Sequence, residues 1–143
     1  MRSRGVTARV PAKVNLQLSV GPLGSDGFHE VTTVFQAISL FDDVTVATAD
    51  KGEGIKISIT GQTSGGVPAD NSNLAVKAAQ LMIKNYDLPQ DLVIKLKKEI
   101  PVAGGMAGGS ADAAGVIVGL DSLFELGLSR DVMESVGSKI GSD

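Results

Sequence analysis

The stretch with the most chemical content is Pro101 to Ala114, P-V-A-G-G-M-A-G-G-S-A-D-A-A. Glycines at 104, 105, 108 and 109 suit neither a helix nor a strand. They suit a backbone that turns sharply and comes close to a ligand. Ser110 and Asp112 follow, and then Ala, Val, Leu and Ile recur at helical spacing. A glycine loop feeding a helix start leaves unpaired N–H groups pointing one way, beside the positive end of the helix dipole. That arrangement binds anions, phosphate above all. The Ser110 hydroxyl can touch a phosphate oxygen or a bound Mg²⁺. A plainer assignment exists, a flexible turn with Ser110 as an ordinary N-cap. Two familiar loop types are excluded. No Lys follows Gly109, as a Walker A loop requires, and the G-x-G-x-x-G order of a dinucleotide fingerprint is missing.

The rest of the chain has to hold that loop. Val6–Val10 and Val14–Val20 read as short strands around Pro11, with Pro11 and Ala12 as a bulge or turn. Gly21–Gly27 reads as a loop. Val31–Ile38 and Val44–Ala47 read as strands joined through Ser39–Asp43. Gly52–Gly54 is a turn, and Ile55, Ile57 and Ile59 alternate as a strand with one wet face. After a polar loop over Gly61–Asn71, Asn71 or Ser72 is the expected cap of a helix over Leu74–Tyr86, which Pro89 stops. Leu92, Ile94 and Leu96 form a strand leading into the glycine loop. A second helix is expected over about Gly109–Phe124, where Ala113, Ala114, Gly115 and Gly119 require very close packing on a neighbour. Gly127 ends it, and Ser129 with Asp131 opens a third helix reaching about Lys139. Strands, one helix, a strand and two helices make an α+β fold, not a regular βαβ array.

Bulk properties narrow the function. A chain of 143 residues supports one domain with a real core. Hydrophobic residues make up 43% and charged residues 20%, which fits a folded protein. The net charge of -3, without a Lys/Arg block, argues against nucleic acid as the main partner. There is no cysteine, so disulfides, thiolate metal sites and cysteine nucleophiles are out. The start, M-R-S-R-G-V-T-A-R-V, has no apolar run behind its charges, and no window reaches membrane-span length. A cytoplasmic protein without a membrane partner is the expectation.

The glycine stretch resembles the second motif of the GHMP small-molecule kinases, a proline, a glycine-rich loop and a serine at a helix start. Pro11-Ala12-Lys13-Val14-Asn15-Leu16 resembles the first motif of one branch, and Asp26-Gly27-Phe28-His29-Glu30 its D-G-Y-H-E element. Ile140-Gly141-Ser142-Asp143 is similar to the start of its G-[SA]-D-V-P element. That branch transfers the γ-phosphoryl group of ATP to a hydroxyl of a cytidine diphosphate substrate, in non-mevalonate isoprenoid precursor biosynthesis. The resemblance implies the GHMP kinase N-terminal ATP-binding domain over residues 1–143, a fold like domain 2 of ribosomal protein S5. It implies ATP and Mg²⁺ as cofactors. Asp143 then corresponds to the catalytic base and Lys13 to the lysine beside it. Pro101, Ala103, Gly104, Gly105, Met106, Ala107, Gly108, Gly109 and Ser110 correspond to the loop around the ATP phosphates, with Ser110 a candidate Mg²⁺ ligand. Phe28 and His29 correspond to the pair that holds cytosine, Asn15 to an asparagine near the substrate diphosphate or sugar, and Asn73 and Lys98 to positions near adenine.

The chemistry of these residues is consistent with such roles. Phosphoryl transfer needs positioning and charge neutralisation more than a strong nucleophile. Lys13 can hold an alcohol in line and lower the proton affinity of a neighbouring carboxylate. Phe28 offers a stacking face, and a neutral His29 can read a base edge. Simpler roles compete: Lys13 as a solvated strand residue, His29 as a cap of the Ser25–Gly27 turn, and Phe28 as core. Asp112 reads as a first-turn helix stabiliser, Asp42 and Asp43 as a turn pair, and Asp26 as a turn residue.

The pattern departs from the family in several places. Phe28 replaces a tyrosine, Met106 a leucine, and Ala111 a second serine; Gly21–Ser25 lacks the usual Arg. Family members are about twice as long, with a C-terminal domain that closes over the substrate. The expectation is that this chain is the front part of a longer protein, truncated before that domain, with little or no turnover alone. A carboxylate at a chain end is not held to the half-ångström or so that catalysis needs. Two alternatives stay open, another GHMP kinase acting on a different small alcohol, and a nonenzymatic nucleotide-binding module. Oligomeric state is not legible.

Overall fold

The computed structural model describes residues 4–141. The elements run β1 (Gly5–Leu23), β2 (His29–Thr48), β3 (Ile55–Thr60), α1 (Leu74–Tyr86), β4 (Leu92–Lys97), α2 (Gly108–Leu123) and α3 (Arg130–Ser138). One sheet has the order β1-β2-β4-β3. β2 pairs antiparallel with β1 and β4, and β3 pairs parallel with β4 through the α1 crossover.

The four short N-terminal strands expected from sequence are two long ones. Pro11 does not break β1, because β1 is an edge strand and the ladder absorbs the proline with a register shift between Pro11 and Lys13. Ser39–Asp43 likewise stays within β2. The expected Gly21–Gly27 loop shrinks to a tight turn. Its Gly24 N–H donates to Phe28 O at 2.7 Å, and Asp26 Oδ1 accepts from Phe28 N at 3.0 Å. Asp26 is thus a turn residue, as read.

Only Asp43–Thr48 of β2 also pairs with β4. The outer part of the β1–β2 hairpin therefore projects as a two-stranded arm. Its Leu16, Leu18, Val20 and Val31 are exposed.

The core lies on one face of the sheet. Val44, Val46, Leu92, Ile94 and Leu96 meet Ala75, Ala79 and Met82 of α1 and Val116 and Leu120 of α2, all buried. Alternation with exposed Lys95 and Lys97 explains why β4 has one dry face. The close packing required of α2 is present. A Cβ on Gly115 would stand 2.9 Å from Val10 Cγ1, and one on Gly119 would stand 2.8 Å from Val46 Cγ2.

Asn73, not Asn71 or Ser72, caps α1; its side chain accepts from Ala75 N at 2.9 Å. Ser72 is instead taken up by Asp70, which accepts from its N–H and its hydroxyl. Ser129 caps α3, accepting from Val132 N.

One glycine after β3 is indispensable to this packing. Gly61 has φ +99, and a Cβ there would lie 2.2 Å from Lys98 O. Neither a right-handed backbone nor a side chain fits. Gly61→Ala is expected to lower stability by more than about 2 kcal/mol, read as a shifted urea midpoint at unchanged slope. A midpoint within error of wild type would show that the 61–63 turn is not held against β4.

Candidate active site

Local backbone geometry builds an anion cradle at the start of α2. Ala103, Gly105 and Ala107 all have positive φ, at 58, 73 and 57. Ala107 is the N-cap residue and supplies no side-chain hydrogen bond. The first helical bond is Ala111 N–H to Ala107 O at 2.9 Å, so the N–H groups of Gly108, Gly109 and Ser110 precede the helix ladder. Ser110 is therefore the third residue of α2 and not its cap, which corrects the plainer assignment.

The loop lies flush on its supports. A Cβ on Gly108 would sit 3.1 Å from Ile100 Cγ2 and 3.2 Å from Lys98 Nζ, and one on Gly109 would sit 3.5 Å from Leu74 Cδ1. A cavity of about 380 Å³ opens over it, lined by the loop together with Pro68, Asn73, Leu74, Lys98, Ser110 and Asp112. The dipole of α2 and three N–H donors without a partner among the described residues suit an anion such as phosphate.

Lys13 is brought directly to this loop. Its backbone N–H donates to Met106 O at 3.2 Å. Its ammonium donates to Asn15 Oδ1 at 3.4 Å and stands over the Phe35 ring, 5.1 Å from the centroid. Thr33 Oγ1 donates to Gln17 O at 2.8 Å and lies 3.3 Å from Asn15 Oδ1. Lys13 and Asn15 are thus oriented by neighbours across the ladder. From the other side Gly141 approaches the same helix start, with the position of its Cβ 3.5 Å from Ser110 Oγ. Asp143, the residue matched to the catalytic base, lies outside the described residues.

Phe28 and His29 sit at the far end of the hairpin, with Leu23 paired to His29. Phe28 is 75% exposed, which excludes the core assignment within this chain. His29 does not cap the Ser25–Gly27 turn. Its Nδ1 is 2.8 Å from Gly21 O, and since a carbonyl only accepts, Nδ1 carries the proton. In the neutral ring that leaves Nε2 as an acceptor.

Three charged residues, Lys98, Asp42 and Asp112, are locked beneath the loop, and for Asp42 and Asp112 the structure overturns the reading from sequence. Lys98 is only 2% exposed. Its Nζ donates to Asp42 Oδ2 at 2.5 Å and to Asp112 Oδ2 at 2.6 Å. Asp42 Oδ1 also accepts from the N–H groups of Glu99 and Ile100, at 2.7 and 2.9 Å. Asp42 is therefore no solvated turn residue. Asp112 is no first-turn dipole stabiliser either, being the fifth residue of α2 with its carboxylate on Lys98. Asn73 is committed as well: its amide donates to Pro68 O at 2.8 Å while its oxygen caps α1.

Burial works to raise the pKa of Asp42, but hydrogen bonds from Asp112, Lys98 and the backbone of Ile100 and Glu99 outweigh it and hold it below the ordinary value. Burial raises Asp112 to about 7, helped by its contact with Asp42 and opposed by Lys98. Asp112 Oδ1 has no hydrogen-bond partner among the described residues. No group of three or more His, Cys, Asp or Glu side chains gathers as a metal site among them, and no helix there is long and apolar enough to cross a membrane.

Comparison with known proteins identifies the fold. The model of the GHMP kinases N-terminal domain matches residues 73–143. The chain has the fold of the GHMP kinase N-terminal domain. It is 51% identical over 138 residues to the 4-diphosphocytidyl-2-C-methyl-D-erythritol kinase of Mycolicibacterium smegmatis, covering 96% of this chain and 42% of that one. With the enzyme of the same name from Mycobacterium avium it is 49% identical, covering 96% and 43%. A crystal structure of 4-(cytidine 5'-diphospho)-2C-methyl-D-erythritol kinase superposes with a TM-score of 0.71 at 33% identity, covering 96% of this chain and 47% of that one. A homoserine kinase from Cytophaga hutchinsonii superposes at 0.72 with 18% identity, over 95% of this chain and 40% of its own, which shows the shared fold. The chain thus spans less than half the length of the curated relatives it matches.

The raised pKa of Asp112 has a defined consequence for stability. Between the unfolded value of 3.8 and the folded value of about 7, the folded state binds the extra proton more tightly. This group therefore contributes stability at low pH that is lost as pH rises through that window. The depressed Asp42 acts oppositely, contributing above 3.8 and losing its contribution as pH falls below it. The difference in thermal midpoint between wild type and Asp112→Asn should shift in favour of wild type as pH is lowered from 8 to 5. A pH-independent difference would show that Asp112 titrates normally.

Proposed function

We propose that the chain is the nucleotide-binding N-terminal domain of a 4-diphosphocytidyl-2-C-methyl-D-erythritol kinase, which transfers the γ-phosphoryl group of ATP to the 2-hydroxyl of that cytidine diphosphate substrate. The observation that carries the reading is the junction of two motifs far apart in sequence. The Lys13 amide is bonded to the glycine loop at Met106, near the N–H groups of Gly108, Gly109 and Ser110, which have no partner among the described residues. The identity to relatives that bear this name supports the substrate assignment. In this reading residues 1–143 form the ATP-binding domain, and a C-terminal domain completes the substrate site.

The residues act as follows. The amides of Gly108, Gly109 and Ser110 hold phosphate oxygens, and Pro101, Ala103, Gly104, Gly105, Met106 and Ala107 shape the turn that aims them. Asn73 and Lys98 line the same cavity, Asn73 toward the adenine side and the Lys98 ammonium beneath Gly108. The Ser110 hydroxyl fits a metal or phosphate contact, being half-buried at the helix start, and Mg²⁺ held there with phosphate oxygens would neutralise charge on the triphosphate. Lys13, oriented by Asn15 and the Phe35 ring, holds the acceptor hydroxyl in line. Asp143 would take the hydroxyl proton as the new O–P bond forms and the bond from the γ-phosphorus to the bridging oxygen breaks, releasing ADP. Lys13 would keep that carboxylate ionised. Asn15 faces the diphosphate or sugar. Phe28 stacks on cytosine, and His29, with Nε2 as acceptor, takes a hydrogen bond from the exocyclic amine of the base.

Transfer from labelled ATP to the cytidine diphosphate substrate tests the reading, in the 143-residue chain and in a chain extended past Asp143. The extended chain should transfer, and the shorter one should be slow or inactive. Lys13→Met in the extended chain should lose on the order of 100-fold or more in rate. Phe28→Ala should weaken substrate binding by roughly 1–3 kcal/mol without touching ATP affinity. An extended chain that phosphorylates homoserine or mevalonate, and not the cytidine substrate, would move the protein to another branch.

A further inference from the structure

We propose that Lys98, Asp42 and Asp112 are positioning residues for the phosphate loop, and that the Lys98 ammonium is a strut beneath Gly108 rather than a ligand of the nucleotide. The proposal rests on the nucleotide-binding reading above and assigns a role within that site.

The three side chains come from three different elements that the loop has to register against one another. Asp42 belongs to β2, Lys98 follows the last residue of β4, and Asp112 is in α2. Lys98 Nζ joins the two carboxylates at 2.5 and 2.6 Å. Asp42 uses its second oxygen on the Glu99 and Ile100 amides, so the chain entering the loop is tied to β2 through both side chain and backbone. The opposite side of that segment is fixed too. Lys98 O accepts from Thr63 N at 3.1 Å, Ile100 O accepts from Thr63 Oγ1 at 2.9 Å, and Gly61 packs against Lys98 with no room for a Cβ. Gly108, the first residue of α2, then rests on Ile100 and on Lys98 Nζ.

Stability does not account for the cluster. Well-packed apolar residues in place of a buried ion pair often leave a protein equally or more stable. Here one carboxylate oxygen, Oδ1 of Asp112, is buried with no partner among the described residues, and Asp112 and Lys98 both line the cavity. Ion pairs are directional where apolar contacts are not, so the cluster fixes the height and angle at which the Gly108–Ser110 amides meet a phosphate. Two of the three ammonium donors already bond to carboxylates, which is why Lys98 makes a poor phosphate ligand.

Titration calorimetry of the 143-residue chain with Mg·ATP, and separately with adenosine, tests this. The variants are Asp112→Asn and the paired change Lys98→Met with Asp112→Leu, each checked for folding by circular dichroism. The role requires Mg·ATP affinity to fall about tenfold or more, the scale of one charged hydrogen bond, while adenosine affinity stays within about twofold. A folded variant with unchanged Mg·ATP affinity, or with both ligands weakened equally, overturns it. If neither variant folds, the wild-type chain decides. On adding Mg·ATP the backbone ¹⁵N resonances of Gly108–Ser110 should move and the Lys98 ammonium ¹⁵N resonance should stay close to its free position. A Lys98 ammonium that moves as far as the amides makes it a direct ligand and overturns the proposal. A wild-type chain that binds neither ligand overturns the nucleotide reading and the proposal together, whereas binding with insensitive variants overturns only the second.

Discussion

The site depends on how closely α2 lies on the sheet. Gly115 and Gly119 present bare backbone to Val10, Val44 and Val46 at distances a methyl group would fill. Any larger residue would lift the helix, and with it the three amides at its start. Helix propensity opposes this choice, since glycine in a helix interior costs roughly 1 kcal/mol against alanine. The valines of β1 and β2 recover that through burial. Because Val10 stands three residues before Lys13, the contact that seats α2 also brings Lys13 alongside Met106. Core packing and the geometry of the phosphate loop are one constraint seen from two ends.

A second layer of order comes from charge. Removing an ammonium and two carboxylates from water is expensive, and only close hydrogen-bonded geometry offsets it. The cluster meets that condition on Asp42, every oxygen of which is bonded, and misses it on Asp112, one oxygen of which is not. The two carboxylates accordingly move apart in proton affinity, Asp42 down and Asp112 up to about 7. Two identical side chains on one lysine thus end in different states because burial dominates at Asp112, while at Asp42 hydrogen bonds with Asp112, Lys98 and the Ile100 and Glu99 amides outweigh it.

What the sequence made legible follows from which interactions are local. The periodicity of Leu74–Tyr86, the alternation of Ile55–Ile59, and the glycine loop with its following helix are patterns over a few residues, and each appears where expected. The GHMP fold came from motif resemblance, and the coordinates join the Lys13 motif to the glycine loop by one hydrogen bond. The buried triad stayed hidden because its partners are separated by 56 residues in one pair and 14 in the other. No local pattern distinguishes Asp42 from Asp43 beside it, although the first is buried and the second reaches Arg9 at 3.1 Å. Of the two readings of Pro11 and Ala12, bulge or turn, the bulge holds: the register shift between Pro11 and Lys13 on an edge strand keeps β1 continuous. The left-handed Ala103 and Ala107 could not be foreseen either, since alanine rarely adopts that backbone and only the surrounding loop enforces it.

The hairpin arm sets a condition on any ligand that touches both ends of the proposed site. Lys13 lies at the base of the arm and His29 pairs with Leu23 near its tip, ten residues further along β1. A straight strand of that length would span roughly 30 Å, too far for one small metabolite. β1 is not straight: the ladder shifts register between Asn15 and Gln17 and again between Val20 and Leu23. Each irregularity bends the strand and adds twist. A ligand held by Phe28 at one end and presented to Lys13 at the other must therefore be elongated, with its recognised group well separated from its reacting group. A diphosphate linking a nucleoside to a short polyol has that shape, and a compact acceptor such as a free amino acid does not. Under the proposed function, the arm would discriminate by length as much as by the identity of Phe28 and His29.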